Sequence, residues 1–176
     1  MLRVLIADDE SKVCQLIEKL VDWGALGMEV VAVAENGIEA LEKIKEFYPD
    51  IVITDIRMPG YDGLDLIRLG KEEAPNTEFV IISGYRHFEY AQMAIRYGVN
   101  AYLLKPIRKD ELTETLKRLS AHFKEQTEQL SLEEKRQRAI RSDEKNLRQA
   151  FLQDLVGRRN KEVLTQPLDR INREFH

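Results

Sequence analysis

The sequence predicts an α/β fold: a five-stranded parallel sheet, doubly wound by helices on both faces, with a long helical extension at the C-terminal end. Three observations carry this. Five short runs, "RVLIA" (3–7), "EVVAVA" (29–34), "IVIT" (51–54), "EFVIIS" (78–83) and "AYLL" (101–104), are near-continuously apolar or β-branched, as strands covered on both faces must be. Segments with apolar residues at helical spacing separate them. The alternation is regular, and strand–helix–strand repeats give a parallel sheet through right-handed crossovers.

Each element has its own signals. Val13, Leu16, Ile17 and Leu20 line one face of "SKVCQLIEKLVDW". Asn36-Gly37 punctuates before a second, amphipathic helix with Ile38, Leu41 and Ile44, and Pro49-Asp50 breaks it ahead of the third strand. Asp62-Gly63 is a turn and helix start, followed by "LDLIRLGKEE", which ends near Pro75. "HFEYAQMAIRYG" is a fourth helix with a glycine stop at Gly98. Lys105-Pro106 closes the fifth strand, and a long helical segment starts near Lys109.

The 176 residues, 43% hydrophobic, suffice for one well-cored domain plus an extension, not two full domains. A net charge of -4 means that the chain as a whole does not attract nucleic acid by its charge. Cys14 is the single cysteine, so neither a disulfide framework nor a cysteine metal cluster is available, and its apolar helical setting makes it a small buried hydrophobe. The apolar run at the N-terminus is too short for a signal peptide, and no run approaches the roughly 18 apolar residues that a membrane span needs. A soluble cytoplasmic protein with no membrane partner is expected.

In open sheets of this kind ligands bind beyond the carboxyl ends of the strands. Strand one ends in Asp8 and Asp9, followed by Glu10; strand three ends in Asp55; strand four in Ser83-Gly84; strand five in Lys105-Pro106. Clustered carboxylates repel and force one to keep its proton unless a cation compensates. Mg²⁺ takes oxygen ligands and typically one or two carboxylates. A lysine opposite holds a second anionic group as a point charge, and a serine hydroxyl adds a donor. These are the parts needed to move a phosphoryl group onto Asp55.

"VLIADDE", "IVITDIRMPGYDG", "VIISGY" and "YLLKPI", in order and at successive strand ends, resemble the receiver domain of two-component response regulators over about residues 1–121. The resemblance implies a flavodoxin-like fold of strand order 2-1-3-4-5. It implies phosphorylation of Asp55 by a sensor histidine kinase, with Mg²⁺ held by Asp8, Asp9, Asp55 and the backbone carbonyl of Arg57. Lys105 and Ser83 would contact the phosphoryl oxygens. Ser83 and Tyr102 would be the switch pair, and the peptide before Pro106 would be cis. The output face would be the fourth helix, the fifth strand and the helix after it. Phosphorylation and dephosphorylation would be self-catalysed, with no other enzymatic activity.

Plainer roles compete at each position. Asp8 and Asp9 could cap the first helix, Lys105 could be a solvated loop residue, Ser83-Gly84 could be turn chemistry, and Tyr102 is partly core by its place in a strand. His87 and His122 have no ligand-like neighbours in sequence and read as surface or capping residues. Rival phosphate chemistries fit worse. There is no GxxxxGK[ST] loop; a phosphatase of the D-x-D type meets Arg57 where its general acid should stand; and an acidic rim repels a flavin phosphate.

From Leu112 a 4-3-4-3 ladder runs through Leu116, Leu119, Phe123, Gln126, Leu130, Glu133, Gln137, Ile140, Glu144, Leu147 and Phe151. Its period of 3.5 is the coiled-coil value, so residues 122–157 read as a linker helix that pairs with a second copy and ends at Gly157. A solvated helix with its first turns docked on the domain is the alternative. Residues 158–176 read as a linker or the start of a domain absent from this chain. "FLQDLVG" after such a receiver is similar to the subgroup joined to AraC-type helix-turn-helix domains, and DNA would be bound only through that absent domain. The resulting expectation is a receiver that controls a transcriptional output, with a stand-alone relay or protein-interaction module as the alternative.

Overall fold

A computed structural model of the chain describes residues 1–84 and 88–164, the side chains of 88, 139 and 142–164 excepted. His87 and the segment from Thr165 onward, including Pro167, lie outside the described residues.

The strands are β1 (Leu2–Ala7), β2 (Met28–Ala34), β3 (Ile51–Thr54), β4 (Glu78–Ser83) and β5 (Ala101–Leu104). The helices are α1 (Ser11–Leu20), α2 (Gly37–Phe47), α3 (Gly63–Glu73), α4 (Phe88–Arg96) and α5 (Lys109–Leu164). All strand pairs are parallel and the order is β2-β1-β3-β4-β5. The order reverses at β1, between β2 and β3, so the crevice of the switch point opens above the ends of β1 and β3.

Alternate side chains feed two cores. Leu5, Ala7, Val52, Phe79 and Ile81 pack with α2 and α3 residues such as Ala40, Ile44, Leu66 and Ile67. Val4, Ile6, Ile51, Ile53, Val80 and Ile82 pack with Cys14 and Ile17 of α1 and with Leu112, Leu116 and Leu119 of α5. Burial on both faces explains why these strands read as unbroken apolar runs.

Local signals behave as their chemistry requires. Asn36 and Asp62 cap α2 and α3, each side chain accepting a backbone N–H three residues on. Gly98 adopts φ 67° after α4, and Val99 N–H returns to Ala94 O at 3.0 Å. Helix α1 ends at Leu20, short of the Trp23 that periodicity reaches. Asp22 explains this, since its Oδ1 accepts Ala25 N–H at 3.1 Å and starts a turn. Helix α2 ends on Tyr48 in the left-handed region, φ 44°, with its N–H on Ile44 O. No composition rule would place a tyrosine there.

The long ladder divides in two. Leu112, Leu116 and Leu119 are buried against the sheet and Phe123 is half-buried, so the strong start of the 3.5 period belongs to the core. The chain separates into units at Lys124 and Glu125. In the second unit the described side chains are exposed, Leu130 at 63% and Ile140 at 50%. The helix runs through Gly157 to Leu164 rather than stopping there. An interior glycine lowers helix stability by only about 1 kcal/mol relative to alanine and ends a helix only where the backbone also turns left-handed. No described helix is long and apolar enough to cross a membrane.

Tyr48 is 63% exposed, so its side chain contributes little beyond the strain of its backbone. Tyr48→Gly is expected to raise stability by about 0.5–1 kcal/mol. The check is a higher urea midpoint at unchanged slope.

Candidate functional site

Strand register builds the site. Ala7, Thr54 and Ile81 lie in one row across β1, β3 and β4, and Tyr102 of β5 continues it. The next residues in chain order, Asp8 and Asp55, therefore emerge side by side. Ser83 and Leu104 are paired, which brings Lys105 to the same rim, and Lys105 N–H is tied to Ser83 O at 2.8 Å. The Lys105–Pro106 peptide is cis.

One ammonium holds the rim together. Lys105 Nζ lies 2.8 Å from Asp55 Oδ2 and 2.9 Å from Asp8 Oδ2, with Glu10 Oε1 further out at 3.6 Å. Both aspartates are nearly sealed, their side chains 2% and 9% exposed. Asp55 Oδ1 accepts Ile56 N–H at 2.6 Å, and Asp8 Oδ1 accepts Glu10 N–H at 3.0 Å. Asp8 Oδ2 is different. It is buried and, despite its proximity to Lys105, makes no aligned hydrogen bond.

Burial is the main force on Asp8 and raises its carboxyl above the ordinary carboxylate value. The contacts with Lys105 and Glu10 N–H pull the other way without overcoming it, and the charge of Asp55 adds to the rise. Burial pulls Lys105 down, but its hydrogen bond to Asp55 and its close contact with Asp8, with the charges of both, outweigh it and hold the ammonium above the usual lysine range. Below this pair, burial and then the charge of Asp8 push the Cys14 thiol up to about 11. That thiol is an inert, buried neighbour whose Sγ points at Asp8 O, 3.6 Å away.

Carboxylate oxygens of Asp8, Asp9 and Asp55 come within 4.8 Å of one another, with Asp9 exposed and the other two buried. An all-oxygen donor set around the unsatisfied Asp8 Oδ2 fits a hard divalent cation. Asp9 does not cap α1: the residue before that helix is Glu10, and its side chain makes no cap bond.

The remaining predicted residues occupy distinct places. Ser83 is fully buried at the end of β4. It has the strand parity of Ile81, whose register partner is Tyr102, and Tyr102 is half-buried against the same core. Arg57 is exposed in the loop after Asp55. That loop is closed by Gly63 N–H on Ile56 O at 2.7 Å. A Cβ on Gly63 would stand 2.2 Å from Asp55 O, so the start of α3 rests directly on the backbone of the aspartate. His122 lies 4.0 Å from Glu78, away from the rim. The sequence named Glu10 among the rim acids but not its contact with Lys105, nor the part of Gly63; a glycine directly after a helix-capping aspartate was the available signal for the latter.

Residues 4–117 match the response regulator receiver domain family. An uncharacterized transcriptional regulatory protein of Bacillus subtilis, YesN, is 41% identical over 126 residues, covering 72% of this chain and 34% of that protein. The transcriptional regulatory protein HptR of Staphylococcus aureus is 36% identical over 129 residues, covering 73% of this chain and 50% of that one. The REC domain of AraT, a response regulator from Geobacillus stearothermophilus, superposes with a TM-score of 0.69 at 40% identity, covering 72% of this chain and 98% of that one. The chain thus spans a third to a half of the length of the curated relatives it matches.

A carboxyl whose pKa is raised by folding stabilises the protein below its unfolded value and loses that contribution as pH rises through the folded value. Metal-free wild type should therefore lose stability from Asp8 as pH climbs past the ordinary carboxylate range. Asp8→Asn should flatten that slope and raise Tm near neutral pH by about 2–6 °C. Thermal melts in chelator across pH check both outcomes.

Proposed function

The chain belongs to the response regulator receiver family, and on that premise we propose that it is a phosphorylatable switch whose acceptor is Asp55. Receiver domains of this family take their phosphoryl group from sensor kinases and bind Mg²⁺ at an acidic pocket. The observation that carries the reading is the Lys105 ammonium lodged 2.8 Å from Asp55 and 2.9 Å from Asp8 at the carboxyl edge of the sheet.

The proposed chemistry uses the rim as it stands. A carboxylate oxygen of Asp55 attacks the phosphorus of the donor in line. The P–N bond of a kinase phosphohistidine breaks, and the imidazole leaves with the bonding pair and takes a proton. Lys105 leaves the carboxylate edge for an oxygen of the transferred group, exchanging one anionic partner for another. The Ser83 hydroxyl donates to a second oxygen. Asp8, Asp9, Asp55 and the Arg57 carbonyl would hold Mg²⁺, which when bound neutralises charge on the phosphoryl oxygens. No external substrate is turned over.

The new group carries about -1.5 to -2 charges. Drawing Ser83 toward it opens space on the face that Tyr102 shares, and Tyr102 follows. The bias passes to α4, β5 and the first turns of α5. The relatives named as transcriptional regulatory proteins support a transcriptional output, and the family match over residues 4–117 supports a phosphoacceptor unit of residues 1–121. A second copy would pair through the α4–β5–α5 face, through the linker helix of 122–157, or both, because Leu130 and Ile140 stand exposed on that helix.

With Mg²⁺ and radiolabelled acetyl phosphate, wild type should take up one label per chain and Asp55→Asn none. Label retained in Asp55→Asn would remove the reading. Turnover of an external phosphoester would instead favour a hydrolase.

A further inference from the structure

The turn between β2 and α2 touches both loops of the acidic rim. Asp8 N–H donates to Ala34 O at 3.1 Å, and Ser11 Oγ donates to Glu35 Oε1 at 2.7 Å, so the turn is joined to the loop that carries Asp8 and Asp9. On the other side Gly37 N–H donates to Pro59 O at 3.0 Å, in the loop that runs from Asp55 to Asp62. The contact is tighter than one hydrogen bond implies. A Cβ on Gly37 would fall 1.9 Å from Tyr61 O and 2.7 Å from Tyr61 C. Gly60 meets the same helix end: it has φ +82°, and a Cβ there would lie 2.7 Å from Ile38 Cγ1. Gly37 has no left-handed backbone, so what it supplies is room.

We infer that Gly37 is a positioning residue for the metal-binding loop, its bare Cα letting the N-terminus of α2 seat the Asp55–Asp62 segment at the separation from Asp8 and Asp9 that a divalent cation needs. The inference rests on the proposed metal site. Mg²⁺ tolerates little departure from near-octahedral ligation at about 2.0–2.1 Å, and a site must be held to roughly 0.5 Å to work. A methyl group at Gly37 would have to move Tyr61 O by about 1.5 Å to reach ordinary contact at 3.4 Å. Helix α2 cannot yield easily, because Ala40, Leu41 and Ile44 anchor it in the core. The loop can, since Arg57, Pro59, Gly60, Tyr61 and Asp62 are exposed. Its displacement would pull on the chain toward the Arg57 carbonyl, the backbone ligand of the proposed site, through Met58, which is itself buried.

Mg²⁺ titrations of the full chain by calorimetry, with circular dichroism to check folding, test this on four variants. Gly37→Ala should fold and bind Mg²⁺ at least tenfold more weakly than wild type. Asn36→Ala, which uncaps the same helix end without placing an atom against the loop, should stay within twofold. Asp8→Asn should lose most binding. If Gly37→Ala does not fold, Ile38→Ala takes its place: removing the side chain on Gly60 should weaken binding at least threefold. Wild-type affinity in the folded Gly37→Ala, or in Ile38→Ala where that variant serves, together with loss in Asp8→Asn, overturns the positioning role and leaves the metal site standing. Equal weakening in Asn36→Ala and Gly37→Ala also overturns it, in favour of general loosening of the helix. Undiminished binding in Asp8→Asn removes the metal-site reading and the inference with it.

Discussion

Everything at the rim depends on the ion pair of Lys105 with Asp8 and Asp55. Parallel β1 and β3 deliver two carboxylates into a nearly closed crevice, where they repel each other and pay for lost hydration. One ammonium, brought in at the end of β5 by the Lys105 N–H to Ser83 O bond, offsets both. The compensation is incomplete. Asp8 Oδ2 remains without an aligned hydrogen bond and its carboxyl is shifted up by burial. A site left in this state has room in its charge balance for a further cation, which the proposed switch would use.

Around this pair the backbone is packed without slack. Gly63 rests on Asp55 O, Gly37 on Tyr61 O, and Gly60 on Ile38. The loop after Asp55 is thus set between the starts of two helices, each capped by its own asparagine or aspartate. Close approach at glycines, rather than loop side chains or the caps themselves, sets how near that loop lies to the two helix starts.

The fold was legible because strand burial and helix periodicity leave direct traces. Five apolar runs and the caps at Asn36 and Asp62 correspond to elements of the structure, and Gly98 ends α4 in the left-handed region. The convergence of Asp8, Asp55 and Lys105 was legible from topology alone, since a parallel sheet sends all its strand ends to one edge. Other features had no local signature. Tyr48 in the left-handed region, the fit of Gly37 and Gly63 against backbone, and the approach of Glu10 to Lys105 are tertiary facts. The ladder from Leu112 shows why pattern alone divides poorly: the same 3.5 period serves the buried Leu112–Leu119 and the exposed Leu130 and Ile140. Gly157 read as a stop because composition does not report the dihedral that makes a glycine end a helix.

If the ammonium of Lys105 stands where cationic charge is wanted, it competes electrostatically with a divalent ion for Asp8 and Asp55. The most direct measurement is the Mg²⁺ affinity of Lys105→Met beside that of wild type at fixed ionic strength. The account predicts tighter binding in Lys105→Met, by roughly tenfold for about 1.4 kcal/mol of relieved repulsion. Unchanged or weaker binding would contradict it, for the two carboxylates would then not depend on that ammonium for their charge balance.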